Sequence, residues 1–330
     1  MQPFKYTRAT DVNGAIRAMS ANPDAKFVAG GSNILDLMKE GVENPTELVD
    51  ISRLNLTQIR STSIGVSVGA LAKNTDTANH PLIRQNYPLL TQAILAGASA
   101  QIRNMATNGG NLMQQTRCTY FYDVSMPCNK RKPGSGCGAL EGINRNHSIF
   151  GWKPDCVDVH PSDMCVALTA LEATVNVQGL DEKTRAIPIA DFFRPEADMT
   201  VSDTSLRHGE LITSIDLPKS SFAGNSYYLK IRDRASYAFA LVSVAVALDL
   251  DGGKIKQLRV AMGGVAPKPW RALEAEKTLV GKAPTEENFL AAADAEMRGA
   301  KPLEHNKFKV ELGRRAIVLA LKRASRTTAA

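Results

Sequence analysis

The chain has 330 residues, 44% of them hydrophobic, with 40 Lys and Arg against 33 Asp and Glu for a formal charge of +7. That is the make-up of a globular protein of about two domains rather than of a disordered, collagenous or coiled-coil chain. The longest apolar run, 237–248, ends before Asp249 and Asp251, well short of the ~20 residues a membrane helix needs, and the scattered positive charge gives no reason to invoke nucleic acid.

The first residues, Met1-Gln2-Pro3-Phe4-Lys5, show neither an apolar signal core nor a twin-arginine stretch, so the expected location is cytoplasmic, or periplasmic by export with a partner. Ala15, Ile16 and Met19 share one face behind the cap candidates Thr10 and Asp11, which predicts a helix over 11–20. Residues 26–29 read as a buried strand running into Gly30-Gly31-Ser32-Asn33, after which Ile34, Leu35, Leu37 and Met38 resume helical spacing. Strands are predicted at 48–51 and 64–71, a small-residue helix at 88–100 and a polar, glycine-containing loop at 101–112. From 118 to 156 periodicity disappears among Pro127, Pro133, Gly134, Gly136, Gly138, Gly142 and Gly151; a loop of that length inside a compact domain is usually functional. A helix and then a strand are predicted over 165–177, a polar excursion over 194–210, and a strand over 211–217. After a Pro/Ser/Gly-rich boundary near 218–226 come strands at 227–231, 238–250 and 255–262, the last two joined by the hairpin signal Asp251-Gly252-Gly253. Helices at 270–280, 285–298 and 306–323 follow, and there is no internal repeat. The predicted fold class is α+β, ending in a small antiparallel sheet with three helices, with domains over 1–220 and 225–330 and an insert at 118–156.

Three short stretches and one cysteine set carry chemistry. In Ala29-Gly30-Gly31-Ser32-Asn33, two glycines remove side-chain bulk between a strand and a helix, so backbone N–H groups can converge on a phosphate. The stretch is neither a P-loop nor a Rossmann fingerprint, and alone it is as consistent with a plain tight turn. Arg103-Asn104-Met105-Ala106-Thr107-Asn108-Gly109-Gly110-Asn111 is a second glycine-asparagine stretch; two in one domain point to a long, phosphate-bearing ligand. In His160-Pro161-Ser162-Asp163, Ser162 or Asp163 caps the next helix and stays able to hold ligand hydroxyls, while His160 reads as structural. The other histidines, His80, His147, His208 and His305, are assigned no role.

All five cysteines lie between 118 and 165, as Cys118-x9-Cys128-x8-Cys137-x18-Cys156-x8-Cys165. Confinement to one segment points to metal or redox chemistry rather than a disulfide scaffold. The close C-x2-C pairs of zinc fingers are absent, and an iron–sulfur cluster tolerates wide spacing when a loop wraps it. Four cysteines fall in the aperiodic insert, whereas Cys165 sits in the regular apolar run Met164-Cys165-Val166-Ala167-Leu168 and reads as a core residue.

Together these residues resemble the FAD-binding subunits of the molybdenum hydroxylase family, which includes xanthine dehydrogenase, the carbon monoxide dehydrogenase medium subunit and aldehyde oxidoreductases. Ala29-Gly30-Gly31-Ser32-Asn33 resembles that family's first flavin loop, the 103–111 stretch its second and His160-Pro161-Ser162-Asp163 its third; Lys230-Ile231-Arg232-Asp233-Arg234 resembles the start of its C-terminal domain. Thr116-Arg117-Cys118, Pro127-Cys128-Asn129-Lys130-Arg131, Gly134-Ser135-Gly136-Cys137 and Asp155-Cys156 are most similar to the bacterial periplasmic aldehyde oxidoreductase branch, whose flavin subunit also holds a [4Fe–4S] cluster.

The resemblance implies a two-subdomain, PCMH-type FAD-binding domain followed by a carbon monoxide dehydrogenase flavoprotein-like domain. It implies non-covalent FAD held by Lys26, Phe27, Val28, Ala29, Gly30, Gly31, Ser32, Asn33 and Ile34, by Thr107, Asn108, Gly110 and Asn111, and by Ser162, Asp163 and Lys230, with Ile187 as a backbone contact. Cys118, Cys128, Cys137 and Cys156 would be the cluster ligands, and no side chain is assigned as catalytic. The implied partners are a small subunit with two [2Fe–2S] clusters and a large molybdenum-cofactor subunit, with electrons leaving through FAD to an acceptor that this chain does not identify. A subunit of a 4-hydroxybenzoyl-CoA reductase-like enzyme, and a zinc-stapled interaction module without catalytic function, are the alternatives.

Overall fold

The computed structural model describes residues 1–193 and 203–325. The first sheet is parallel, in the order β1 (Lys5–Arg8), β3 (Glu47–Asp50), β2 (Ala25–Val28), with helices Val12–Ala21 and Ile34–Lys39 on the connections. Asp11 caps the first helix, its Oδ1 accepting from Gly14 N at 2.7 Å, and Ala15, Ile16 and Met19 form the buried face that the spacing predicts. β1 was not predicted: it is polar, and it is held by the Arg8–Asp50 ion pair at 3.1 Å and by Tyr6 donating to Asp50. β2 is less buried than its sequence predicts, with only Ala25 fully covered.

The second sheet is antiparallel, in the order β4 (Ile59–Thr62), β5 (Gly65–Gly69), β8 (Leu211–Pro218), β6 (Thr174–Gln178), β7 (Thr184–Pro188). The chain leaves this sheet after β5 and returns more than a hundred residues later at β6, and every predicted site residue from Thr107 to Asp163 lies in that excursion. The excursion carries helices Asn74–Asn79, Pro81–Asn86 and Pro88–Ala96, and then two short helices, Ala100–Met105 and Asn108–Leu112, where a polar loop was predicted. Ser99 and Thr107 side chains accept from Ile102 N and Gly110 N, so these polar residues start helices instead of preventing them. The 118–156 segment is mostly turns, with single helical turns at Thr119–Tyr122 and Gly138–Glu141. The predicted excursion at 194–210 lies outside the described residues over 194–202.

The third sheet, β12 (Trp270–Arg271), β11 (Lys254–Gly263), β10 (Val242–Asp251), β9 (Ser226–Ile231), is antiparallel and backed by helices Leu273–Leu279, Glu286–Met297 and Phe308–Ala324. The turn after β10 uses Gly252 and Gly253 at φ +54° and +75°, as a two-residue hairpin requires. β10 starts at Val242 rather than at 238, because Tyr237, at φ +51°, turns the chain out of the sheet.

β10 is buried on both faces. Val244, Val246 and Leu248 enter the core under the C-terminal helices, whereas Ala245 and Ala247 face the core shared with helix Asp163–Ala170. Small residues on that face admit a helix whose eight residues are all buried, and this packing fixes Ser162 and Asp163 against Lys230. Among the described residues no helix is long and apolar enough to cross a membrane.

Candidate functional site

β2 ends at Val28, and the turn after it packs against the backbone between the two short helices. A Cβ on Gly30 would stand 2.0 Å from the Met105 carbonyl oxygen, and Gly31 is at φ +71°. The two glycines therefore let the first stretch touch the second, and what the sequence presents as two separate turns is one wall. Asn33 Oδ1 accepts from Gln115 N at 3.0 Å, tying that wall to the start of the cysteine segment.

This wall lines a cavity of about 660 Å³ bounded on the other side by Lys230 of β9 and by the connection from β9 to β10, through Asp233, Arg234 and residues 237–241. The volume is that of a cofactor site. Of the predicted FAD contacts, Ser32, Asn33, Gly110, Asn111, Ser162, Asp163 and Lys230 line it. Lys26, Phe27, Val28, Ala29, Gly30, Gly31 and Ile34 shape the turn from behind, and Lys26 pairs with Glu43 at 3.5 Å. Thr107 and Asn108 are buried supports: Asn108 Nδ2 donates to Thr77 Oγ1 at 2.8 Å, and its Oδ1 accepts from Asn74 Nδ2 at 3.0 Å. Ile187 lies in β7 opposite Val175, away from the cavity lining.

The cavity floor is a hydrogen-bond chain. Ser162 Oγ accepts from Cys165 N at 3.1 Å and donates to Asn111 Oδ1 at 2.5 Å. Asp163 accepts from Lys230 Nζ and from Tyr228 Oη, both at 2.7 Å, and Lys230 also donates to Ala96 O at 3.1 Å. His160, stacked edge-on against Phe193 at 4.6 Å, is pushed by burial to a pKa of about 3 and is therefore neutral.

The lining includes five Lys or Arg against three Asp, and several of these were missed by the sequence reading. Arg145 forks onto Asp233 at 2.9 and 3.0 Å. Arg117 bonds Asp36 at 2.9 Å and stacks 5.4 Å from the Phe239 ring. Arg103, inside the second stretch, donates to Gly97 O at 2.6 Å. The Nδ2 of Asn33 and the Nε of Arg103 and Arg117 are buried donors with no partner among the described residues. Buried donors without acceptors are costly, and their arrangement around one cavity fits an anionic, oxygen-rich ligand such as FAD.

A second, much smaller cavity is lined by Cys118, Cys128, Cys137 and Cys156 together, and all four are free thiols. Cys128 and Cys137 face each other in an isolated antiparallel bridge, and Asn129 fastens the loop by donating to Asp155 O at 2.9 Å and accepting from Gly136 N at 2.8 Å. Burial pushes the Cys118 thiol up to about 12, and burial and the neighbouring Asp158 carboxylate raise that of Cys156, opposed in part by the Lys130 ammonium, which pairs with Asp158 at 2.7 Å. Among the described residues no three His, Cys, Asp or Glu side chains converge to hold a single metal ion. Cys165 lies apart, buried within helix Asp163–Ala170. Thr116 and Cys118 line both cavities, and His147, to which the sequence reading gave no role, sits 3.1 Å from the Cys118 sulfur through Nε2.

Two family profiles match the chain: the FAD binding domain in molybdopterin dehydrogenase over residues 2–220, and the carbon monoxide dehydrogenase flavoprotein C-terminal domain over 227–327. The aldehyde oxidoreductase FAD-binding subunit PaoB of Escherichia coli is 46% identical over 98% of this chain and 99% of its own length. The glyceraldehyde dehydrogenase medium chain of Sulfolobus acidocaldarius is 30% identical over 84% of this chain and 82% of its own. Among solved structures, carbon monoxide dehydrogenase from Hydrogenophaga pseudoflava, in a form lacking the Mo-pyranopterin moiety, superposes with a TM-score of 0.77 at 26% identity, covering 99% of both chains.

Proposed function

The chain belongs to the FAD-binding subunits of the molybdenum hydroxylases, and from that premise we propose that it carries FAD and a [4Fe–4S] cluster in a heterotrimeric molybdenum-dependent aldehyde oxidoreductase. The relative at 46% identity is named an aldehyde oxidoreductase subunit, which supports the substrate class. One observation carries the cofactor reading: four cysteines spread over 39 residues of irregular chain line one cavity, and that cavity shares Cys118 with the larger one. A [4Fe–4S] cluster takes one thiolate on each iron, so its ligands surround a body instead of meeting at a point, and four thiols around one cavity support that reading.

FAD, when bound, supplies reversible redox chemistry at its ring, and the chain supplies binding and electrostatics. Ser32, Asn33, Gly110 and Asn111 line the wall that would hold it, with the turn at 29–31 keeping that wall close-packed. The free N–H groups of Asn33 and Arg103 would bond its negative oxygens, and the Ser162, Asp163 and Lys230 chain would orient its polar parts. No His or Cys is assigned to a covalent flavin bond. Electrons arrive from a small [2Fe–2S] subunit fed by a large molybdenum-cofactor subunit, where the aldehyde is oxidised, and leave for an external acceptor; the compartment is the one the partners reach, cytoplasm or periplasm.

Anaerobic purification with its partners tests this reading. A yellow-brown protein is expected, with one acid-releasable FAD and about four irons per chain beyond those of the partner. A colourless protein with stoichiometric zinc would overturn it.

A further inference from the structure

His147 is buried and lines the large cavity. Its Nε2 lies 3.1 Å from the sulfur of Cys118, which lines both cavities, while its Nδ1 is buried without a partner among the described residues. A neutral imidazole carries one proton. Placed on Nε2 that proton meets a sulfur acceptor, whereas on Nδ1 it would be a buried donor with nothing to bond, which is the more costly choice. The ring has little freedom to leave. Its residue's carbonyl accepts from Asn306 Nδ2 at 3.1 Å and from Lys309 Nζ at 3.0 Å. Lys309 is itself fully buried at the start of helix Phe308–Ala324, and its other bond goes to Gly264 O at 2.7 Å, on the wall of the large cavity. A lysine buried in this way, with no ion pair among the described residues, is costly, and its bonds to the His147 and Gly264 carbonyls pin the backbone that carries the imidazole.

We propose that His147 sets the reduction potential of the cluster by donating a hydrogen bond from Nε2 to the Cys118 sulfur, at the wall shared with the flavin cavity. The inference rests on the cluster assignment above. An N–H group aimed at a ligating sulfur stabilises the more negative, reduced cluster, so it raises the potential. Cys118 is the one proposed ligand that lines both cavities, so this bond acts at the ligand that reaches the flavin cavity. His147 is a positioning residue here, acting through Cys118.

The test is an EPR-monitored redox titration of the anaerobic complex carrying His147→Leu or His147→Gln. Loss of the donor in His147→Leu should lower the cluster potential by the equivalent of about tenfold in its one-electron reduction equilibrium, 59 mV, while His147→Gln, which keeps an N–H donor, recovers most of the shift. The flavin potentials should hardly move. An intact cluster at the wild-type potential in His147→Leu overturns the proposal. Should that variant fail to assemble, pulsed EPR on wild-type protein labelled with 15N-histidine decides: nitrogen hyperfine coupling to the reduced cluster is expected, and its absence overturns the proposal. A complex that holds FAD but no iron beyond that of the partner overturns the cluster assignment and this inference with it; the additional iron present without the shift overturns this inference alone.

Discussion

The turns at 29–33 and 105–112 hang from regular structure, whereas the cysteine segment at 118–156 hangs from side chains. In the first region Asn74 N, Asn108 N and Gly109 N donate to the carbonyls of Ala106, Ala72 and Ala70 at 2.9, 3.1 and 2.7 Å, and the main core lies directly beneath. In the second, the stretch from Cys118 to Asn146 has a small core of its own around Ala139, Val157 and Leu303, and the loop is gathered by Asn129 and by Arg131, which donates to the carbonyls of Phe121, Asp123 and Met126, while Ile149 and Phe150 anchor the far end of the segment in the C-terminal core. The contrast teaches that the flavin wall is formed before its ligand arrives, while the stretch from Cys118 to Asn146, which carries three of the four cysteines, has little apolar burial to order it and gains stability from whatever the thiols bind.

That difference predicts separable failures. Lys230→Met should have the largest effect, because it leaves the Asp163 carboxylate without its cationic partner, with only the Tyr228 hydroxyl remaining, in a site where both side chains of the pair are over nine-tenths buried. Breaking such a pair costs about 3–5 kcal/mol, so denaturant unfolding should show that loss and flavin analysis should show depleted FAD, with the iron content kept. Wild-type stability and flavin content in this variant would break the contrast. Gly30→Ala comes next. Its Cβ cannot sit 2.0 Å from the Met105 oxygen, so the wall must open, at a cost of about 1–3 kcal/mol and with weaker FAD retention, again without loss of iron. Cys165→Ala should cost least, about 1 kcal/mol, and should keep both FAD and iron, because its thiol is packed in the core of helix Asp163–Ala170 and is off the small cavity. Iron loss in this variant would redraw the ligand set.

The elements that were legible in the sequence are those with periodic burial. Helix Val12–Ala21 follows from Ala15, Ile16 and Met19, and the β10–β11 hairpin from Gly252 and Gly253. β1 and β4 were not legible, because four-residue strands rich in polar side chains have no periodicity and are specified by partners forty residues away or by sheet contacts. The helices at 100–112 were hidden for the opposite reason: Ser99, which falls inside the predicted 88–100 helix, and Thr107, which reads as a loop residue, are caps. At the site, Ser162, Asp163 and Lys230 could be named from motif order, but their mutual bonding could not, since 67 residues separate Asp163 from Lys230. His147 carried no signal at all. Nothing in its neighbourhood, Asn144 to Phe150, distinguishes it from a surface histidine, and its role appears only when helix Phe308–Ala324 closes over its carbonyl.

The central claim is that the four cysteines of the irregular segment serve one cluster, independently of the flavin. Its most direct test is Cys128→Ser in the anaerobically purified complex, read by iron and FAD content together with Mössbauer spectra of 57Fe-enriched protein. The account predicts loss of about four irons and of the [4Fe–4S] signal with FAD retained. An unchanged cluster spectrum, or iron and FAD lost together, would contradict it.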